Sequence, residues 1–89
     1  MSRARFVVRG LVQGVNFRAA AAHEAQRLGI SGRIWNRDDG TVEADAGGDD
    51  AALAAFEAWL RRGPRHAHVT SVEREAVLGQ PRERDFLIG

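Results

Sequence analysis

An 89-residue chain that is 44% apolar and 28% charged has room for one domain around one hydrophobic core, and that balance excludes wholesale disorder. With no cysteine, disulfides, thiolate nucleophiles and sulfur-ligated metals are excluded, which suits a reducing cytoplasm. The net charge of +1 hides an asymmetry: residues 1–37 hold seven arginines against Glu24 alone, residues 38–60 hold seven acids and no base, and every basic side chain is Arg.

Residues 4–12 alternate as a first strand, with Phe6, Val8, Gly10 and Val12 on one face and Arg5, Val7, Arg9 and Leu11 on the other. Gln13-Gly14 breaks the pattern. From about Phe17 to Leu28 the chain is Ala-rich and helical, with Ala21, Ala25 and Leu28 on one stripe and Gly29 placed to end the helix. Residues 32–37 and 41–46 alternate as two strands joined by Arg37-Asp38-Asp39-Gly40, and Asp-Gly between such runs predicts a hairpin. Asp49 or Asp50 can cap a second helix of about 50–62, with Leu53, Phe56 and Leu60 at helical spacing and Gly63-Pro64 as its stop. Residues 69–77 read as a fourth strand, Gly79-Gln80-Pro81 as a turn, and Phe86-Leu87-Ile88 as a short terminal strand. No stretch approaches membrane-spanning length, and the N-terminus lacks an apolar signal core.

The order β-α-β-β-α-β plus a terminal strand predicts one α+β domain over residues 1–89, a ferredoxin-like two-layer sandwich on an antiparallel sheet. The third strand should then lie between the first and second. This sets Glu43 and Asp45 between Arg5/Arg9 and Arg33/Arg37 on the outer face, which accounts for the opposed charge blocks.

Three sets of residues invite chemistry. In Gly10-Leu11-Val12-Gln13-Gly14-Val15-Asn16-Phe17-Arg18, a glycine-punctuated loop runs into a helix, where main-chain N–H groups and the helix dipole favour an anion. Arg18 in the first helical turn opposes that dipole, so its position calls for an anion to bind. An ordinary strand-to-helix loop with a surface Arg fits the same residues, and the P-loop signature is absent. Asn36 shares parity with Ile34, so its amide should face the helix side; a local role in the hairpin is the alternative. His23-Glu24 lacks the second histidine of a zinc helix, and His66 with His68 lacks a third ligand, so no metal site is expected. Trp59 fits core packing, and the single outer-face Trp35 is thin support for nucleic-acid binding.

These residues resemble the acylphosphatase family. Its first signature, G-x-V-Q-G-V-x-F-R, is met by Gly10, Val12, Gln13, Gly14, Val15, Phe17 and Arg18. The second is met by Gly32-Arg-Ile-Trp-Asn36, Asp39-Gly40-Thr-Val42-Glu43 and Gly48, and the likeness runs on through Gly63-Pro64, Ala67, Val69 and Val72. The chain departs from the family at Arg33, where an aromatic residue is usual, and at Trp35, where a long basic or polar residue is common. The resemblance implies hydrolysis of small acyl phosphates to a carboxylate and inorganic phosphate. It implies that Gln13, Gly14, Val15, Asn16, Phe17 and Arg18 bind the phosphoryl group, Arg18 catalytically, and that Asn36 positions water. An acyl phosphate departs as a carboxylate, so the reaction asks for positioning and charge stabilisation more than for a strong acid. No cofactor, metal, nucleic acid or membrane is expected, and a cytoplasmic monomer is. A non-enzymatic module binding RNA through its sheet is the alternative, as is a domain of a larger assembly. The starting Met and the lack of a linker point instead to a free-standing enzyme.

Overall fold

The computed structural model describes residues 1–79 and 83–89, so the expected turn at Gly79-Gln80-Pro81 lies partly outside the described residues. The described elements are β1 (Ser2–Leu11), α1 (Phe17–Arg27), β2 (Ser31–Asn36), β3 (Val42–Gly48), α2 (Asp50–Arg62), β4 (His68–Ala76) and β5 (Phe86–Ile88). They form one sheet in the order β4-β1-β3-β2-β5, with the third strand between the first and second as expected. The ladders β1–β3, β1–β4 and β2–β3 are antiparallel. The expectation of a wholly antiparallel sheet needs one correction: β5 joins β2 in parallel, pairing Gly32 with Phe86 and Ile34 with Ile88.

Alternation decides which face is covered. Ala4, Phe6 and Val8 of β1, Ile34 of β2 and Val42, Ala44 and Ala46 of β3 are buried beneath the helices, while Arg3, Arg5, Glu43 and Asp45 point away. From α2, Leu53, Phe56 and Leu60 descend onto that face. Phe56 meets Phe6 and Phe86 edge-on, with ring centroids 5.8 and 5.7 Å away, so one aromatic cluster ties β1, α2 and β5 together. α1 contributes mainly alanines, whose small side chains let the helix lie close to the sheet. It ends as expected: Gly29 has φ +73°, its N–H reaches Gln26 O at 3.1 Å, and the Ile30 N–H reaches Ala25 O at 2.9 Å. Asp49 takes the N-cap position of α2, but its side chain makes no capping hydrogen bond.

Two places break strict alternation. Val69 and Val72 are an odd number of residues apart, yet both turn toward the core. The register of β1 against β4 slips there: Arg9 faces Ser71 and Gly10 faces Val69, so Thr70 is the extra residue of a bulge that swaps the face of Val69. At Gly32, φ is +136° and an added Cβ would collide with the carbonyl oxygen of Asp45, so only glycine fits between β2 and β3.

On the outer face Arg3 donates to both carboxylate oxygens of Asp45, at 2.8 and 2.5 Å. Glu43 sits 3.3 Å from Arg5 and 3.5 Å from Arg37. The expected placement of the acids holds, but the partners differ. Asp45 takes Arg3, Arg9 turns to Glu73 on β4 at 2.9 Å, and Arg33 lies over the Trp35 ring at 4.5 Å. Among the described residues, no helix is long and apolar enough to cross a membrane.

Candidate active site

β1 delivers the chain to the mouth of the site, where Val12, 1% exposed, anchors the loop in the core. Gly14 and Asn16 then adopt left-handed backbone, with φ of +76° and +63°. Asn tolerates that conformation better than most side chains, so a residue other than glycine stands at the helix entry. α1 starts at Phe17, and its first intrahelical bond runs from the Ala20 N–H to Asn16 O at 3.2 Å. No side chain caps this end and no acid lies in its first turn, so the leading N–H groups point toward the cavity with their partial positive charge uncompensated. Phe17 locks the entry from behind: it is 1% exposed and packs against Trp59 of α2 at 5.6 Å between ring centroids.

The cavity in front of this loop measures about 210 Å³ and is lined by Val12, Gly14, Asn16, Phe17, Arg18, Ala19, Asn36 and Ile88. That is below the roughly 300–1,000 Å³ of pockets for drug-sized ligands, and suits a small anion with a water beside it. Of the residues expected from sequence, Gly14, Asn16, Phe17, Arg18 and Asn36 come together here. Val15 packs partly buried against the core instead. The Gln13 side chain is also drawn away: its Nε2 donates to the carbonyls of Arg37 and Thr41, at 2.8 and 3.0 Å.

That amide fastens the loop to the hairpin between β2 and β3. The hairpin closes by itself: the Arg37 N–H reaches Thr41 O at 2.9 Å, and Asp39 accepts from the Thr41 N–H and hydroxyl at 3.0 and 2.6 Å. Those Thr41 hydrogen bonds, the hydroxyl's first, hold the Asp39 carboxyl below its ordinary range. With these groups closing the turn, the exposed Asn36 amide remains at the cavity wall.

Two contributors have no sequence-level signal. Arg18 Nη1 donates to the main-chain oxygen of Gly89 at 2.9 Å, and the Gly89 N–H in turn donates to Ile34 O at 2.7 Å. The guanidinium is thus steadied against the end of β5, whose Ile88 supplies one wall of the cavity. Arginine, orphan helix donors and a neutral amide around one small cavity can hold a tetrahedral anion and a water near each other.

A sequence model of the acylphosphatase family matches residues 4–88. An acylphosphatase from Xanthomonas euvesicatoria pv. vesicatoria is 49% identical over 89 residues, all of both chains. The crystal structure of an acylphosphatase from Bacillus subtilis superposes with a TM-score of 0.96 at 34% identity, covering 100% of this chain and 99% of that one. An acylphosphatase from Coxiella burnetii gives 0.93 at 31%, covering 99% and 92%. Matched through its whole fold and along nearly its whole sequence, the chain belongs to the acylphosphatase family and is an acyl-phosphate hydrolase.

Proposed function

We propose that the Gln13–Arg18 loop holds the phosphoryl group of the acyl phosphate, that Arg18 grips it as the catalytic arginine, and that Asn36 orients the attacking water. The convergence of Arg18, the open helix terminus and Asn36 on one small cavity carries this assignment. The phosphoryl oxygens lie against main-chain N–H groups from Gly14 onward, with the Arg18 fork spreading the charge that builds in the transition state. Gln13 acts through its bonds to the hairpin, holding grip and water in register. The Asn36 carbonyl accepts a hydrogen bond from water and aims its oxygen at phosphorus. The new P–O bond forms as the bond to the carboxyl oxygen breaks, and the carboxylate leaves with that electron pair. An Asn amide is no base at neutral pH, so the water's proton passes to a phosphoryl oxygen. The protein works as a monomer in the cytoplasm, a setting that its lack of cysteine suits.

The test is hydrolysis of a generic acyl phosphate by purified Arg18→Ala. Turnover should fall by on the order of 10³-fold or more, by analogy with arginine fingers, while the thermal melt stays in place. Undiminished hydrolysis would overturn the assignment.

A further inference from the structure

Three of the residues lining the phosphate cavity carry polar side chains: Asn16, Arg18 and Asn36. Arg18 and Asn36 have roles in the phosphoryl site assigned above, whereas Asn16 enters it only through its main-chain N–H. We propose that the Asn16 side chain is a further catalytic group, whose amide N–H donates a hydrogen bond to the departing carboxylate of the acyl phosphate. This proposal rests on that phosphoryl site.

Asn16 is the one residue other than glycine with positive φ among the described residues, at +63°. Glycine would take that conformation at lower steric cost, as Gly14 does two positions earlier. Nor does the side chain serve the helix. Asn16 holds the N-cap position of α1, where an Asn ordinarily accepts from N–H groups of the first turn, but in the left-handed conformation it makes no capping bond. An exposed amide that neither caps the helix nor eases its own backbone stands at the edge of the cavity.

The geometry of displacement decides what that amide can touch. In-line attack sets the leaving oxygen on the side of phosphorus opposite the water, so the carboxylate departs away from Asn36. Asn36 ends β2 in the sheet, whereas Asn16 opens α1 in the helix layer, so the two amides reach the cavity from different layers. Loop N–H groups and the Arg18 fork take the other phosphoryl oxygens, which leaves Asn16 as the polar side chain for the leaving group. As the P–O bond breaks, its electron pair passes to the carboxyl oxygen and the charge spreads over both carboxylate oxygens. A hydrogen bond from Asn16 Nδ2 strengthens as that charge grows, and no proton is transferred.

The experiment measures kcat/KM for acetyl phosphate and for para-nitrobenzoyl phosphate, whose carboxylate is less basic, together with inhibition by inorganic phosphate. It uses the wild-type protein, Asn16→Gly, Asn16→Asp and Arg18→Ala. Asn16→Gly keeps the left-handed turn and removes only the side chain, so its melt should stay in place. It should lose about 10-fold on acetyl phosphate but only about 3-fold on the nitrobenzoyl compound, because a better leaving group needs less stabilisation. Inorganic phosphate has no acyl group and should inhibit Asn16→Gly as well as it inhibits the wild type. Asn16→Asp also tolerates the left-handed backbone but has no donor at neutral pH, and should be at least as slow as Asn16→Gly. Equal losses on both substrates, undiminished turnover in either variant, or weaker phosphate inhibition of Asn16→Gly would overturn the leaving-group role while the Arg18 grip stands. If Arg18→Ala retains full turnover, the phosphoryl site is wrong and the role of Asn16 falls with it.

Discussion

On the outer face of the sheet Arg3, Arg5, Arg9 and Arg37 each meet a carboxylate, whereas Arg18 has only the main-chain oxygen of Gly89 as its partner among the described residues. Both regions use the same side chain, and register separates them. Strand pairing sets an arginine opposite or diagonal to an acid, and such pairs are neutralised before any ligand arrives. Arg18 stands at a helix terminus with no acid in the first turn, and its guanidinium is steadied in direction by a main-chain oxygen. An arginine of the outer face and the one at the helix entry differ in whether an acidic side chain is already paired with it.

Substitutions can break that contrast. After Arg18→Ala, Asn36→Ala should have the largest effect, a loss of about 10²-fold or more in turnover with little change in the melt. Inorganic phosphate should still protect this variant, because the grip lies elsewhere; losing phosphate binding together with turnover would contradict the division between Arg18 and Asn36. Gln13→Ala should move both properties. It removes one of the two donors that each of the Arg37 and Thr41 carbonyls has, at about 1 kcal/mol of stability, and loosens the loop against the hairpin, lowering turnover by up to about 10-fold. Wild-type kinetics in that variant would show that the hairpin holds its place unaided.

Asp45→Asn should have the smallest effect: a Tm lower by about 2–5 °C at neutral pH and turnover unchanged. Its hydrogen bonds from Arg3 hold the Asp45 carboxyl below its ordinary value in the folded state. A depressed carboxylate contributes its full stabilisation above the unfolded value of about 3.9, and loses it as the pH falls through the lower folded value. The gap in Tm between wild type and variant should therefore close as the pH drops below about 4. A constant gap down to acid pH would assign the effect to packing.

Much of this was legible in the sequence because the governing physics is local. Alternation placed Phe6, Val8 and Ile34 in the core, Asp-Gly marked the hairpin, and Gly29 ended α1. The cavity lining was legible where one short segment contained it, from Gly14 to Arg18. The bulge at Thr70 was not, since Val69 and Val72 fit neither period until the register of β1 is known. The partner of Asp45 was not, because Arg3, Arg5 and Arg9 all share its face and only the pairing decides among them. Least legible was Gly89, a residue with no side chain whose contact with Arg18 spans 71 positions.

β5 is only three residues long, yet it covers the edge of β2 from Gly32 to Ile34. Uncovered edges of this kind invite strand addition from other molecules and so seed aggregation. The strand that keeps that edge closed also supplies Ile88 to the cavity and leads to the oxygen that steadies Arg18. A molecule in which β5 lets go loses one wall of that cavity, the contact that steadies Arg18 and its protection against self-association in one event.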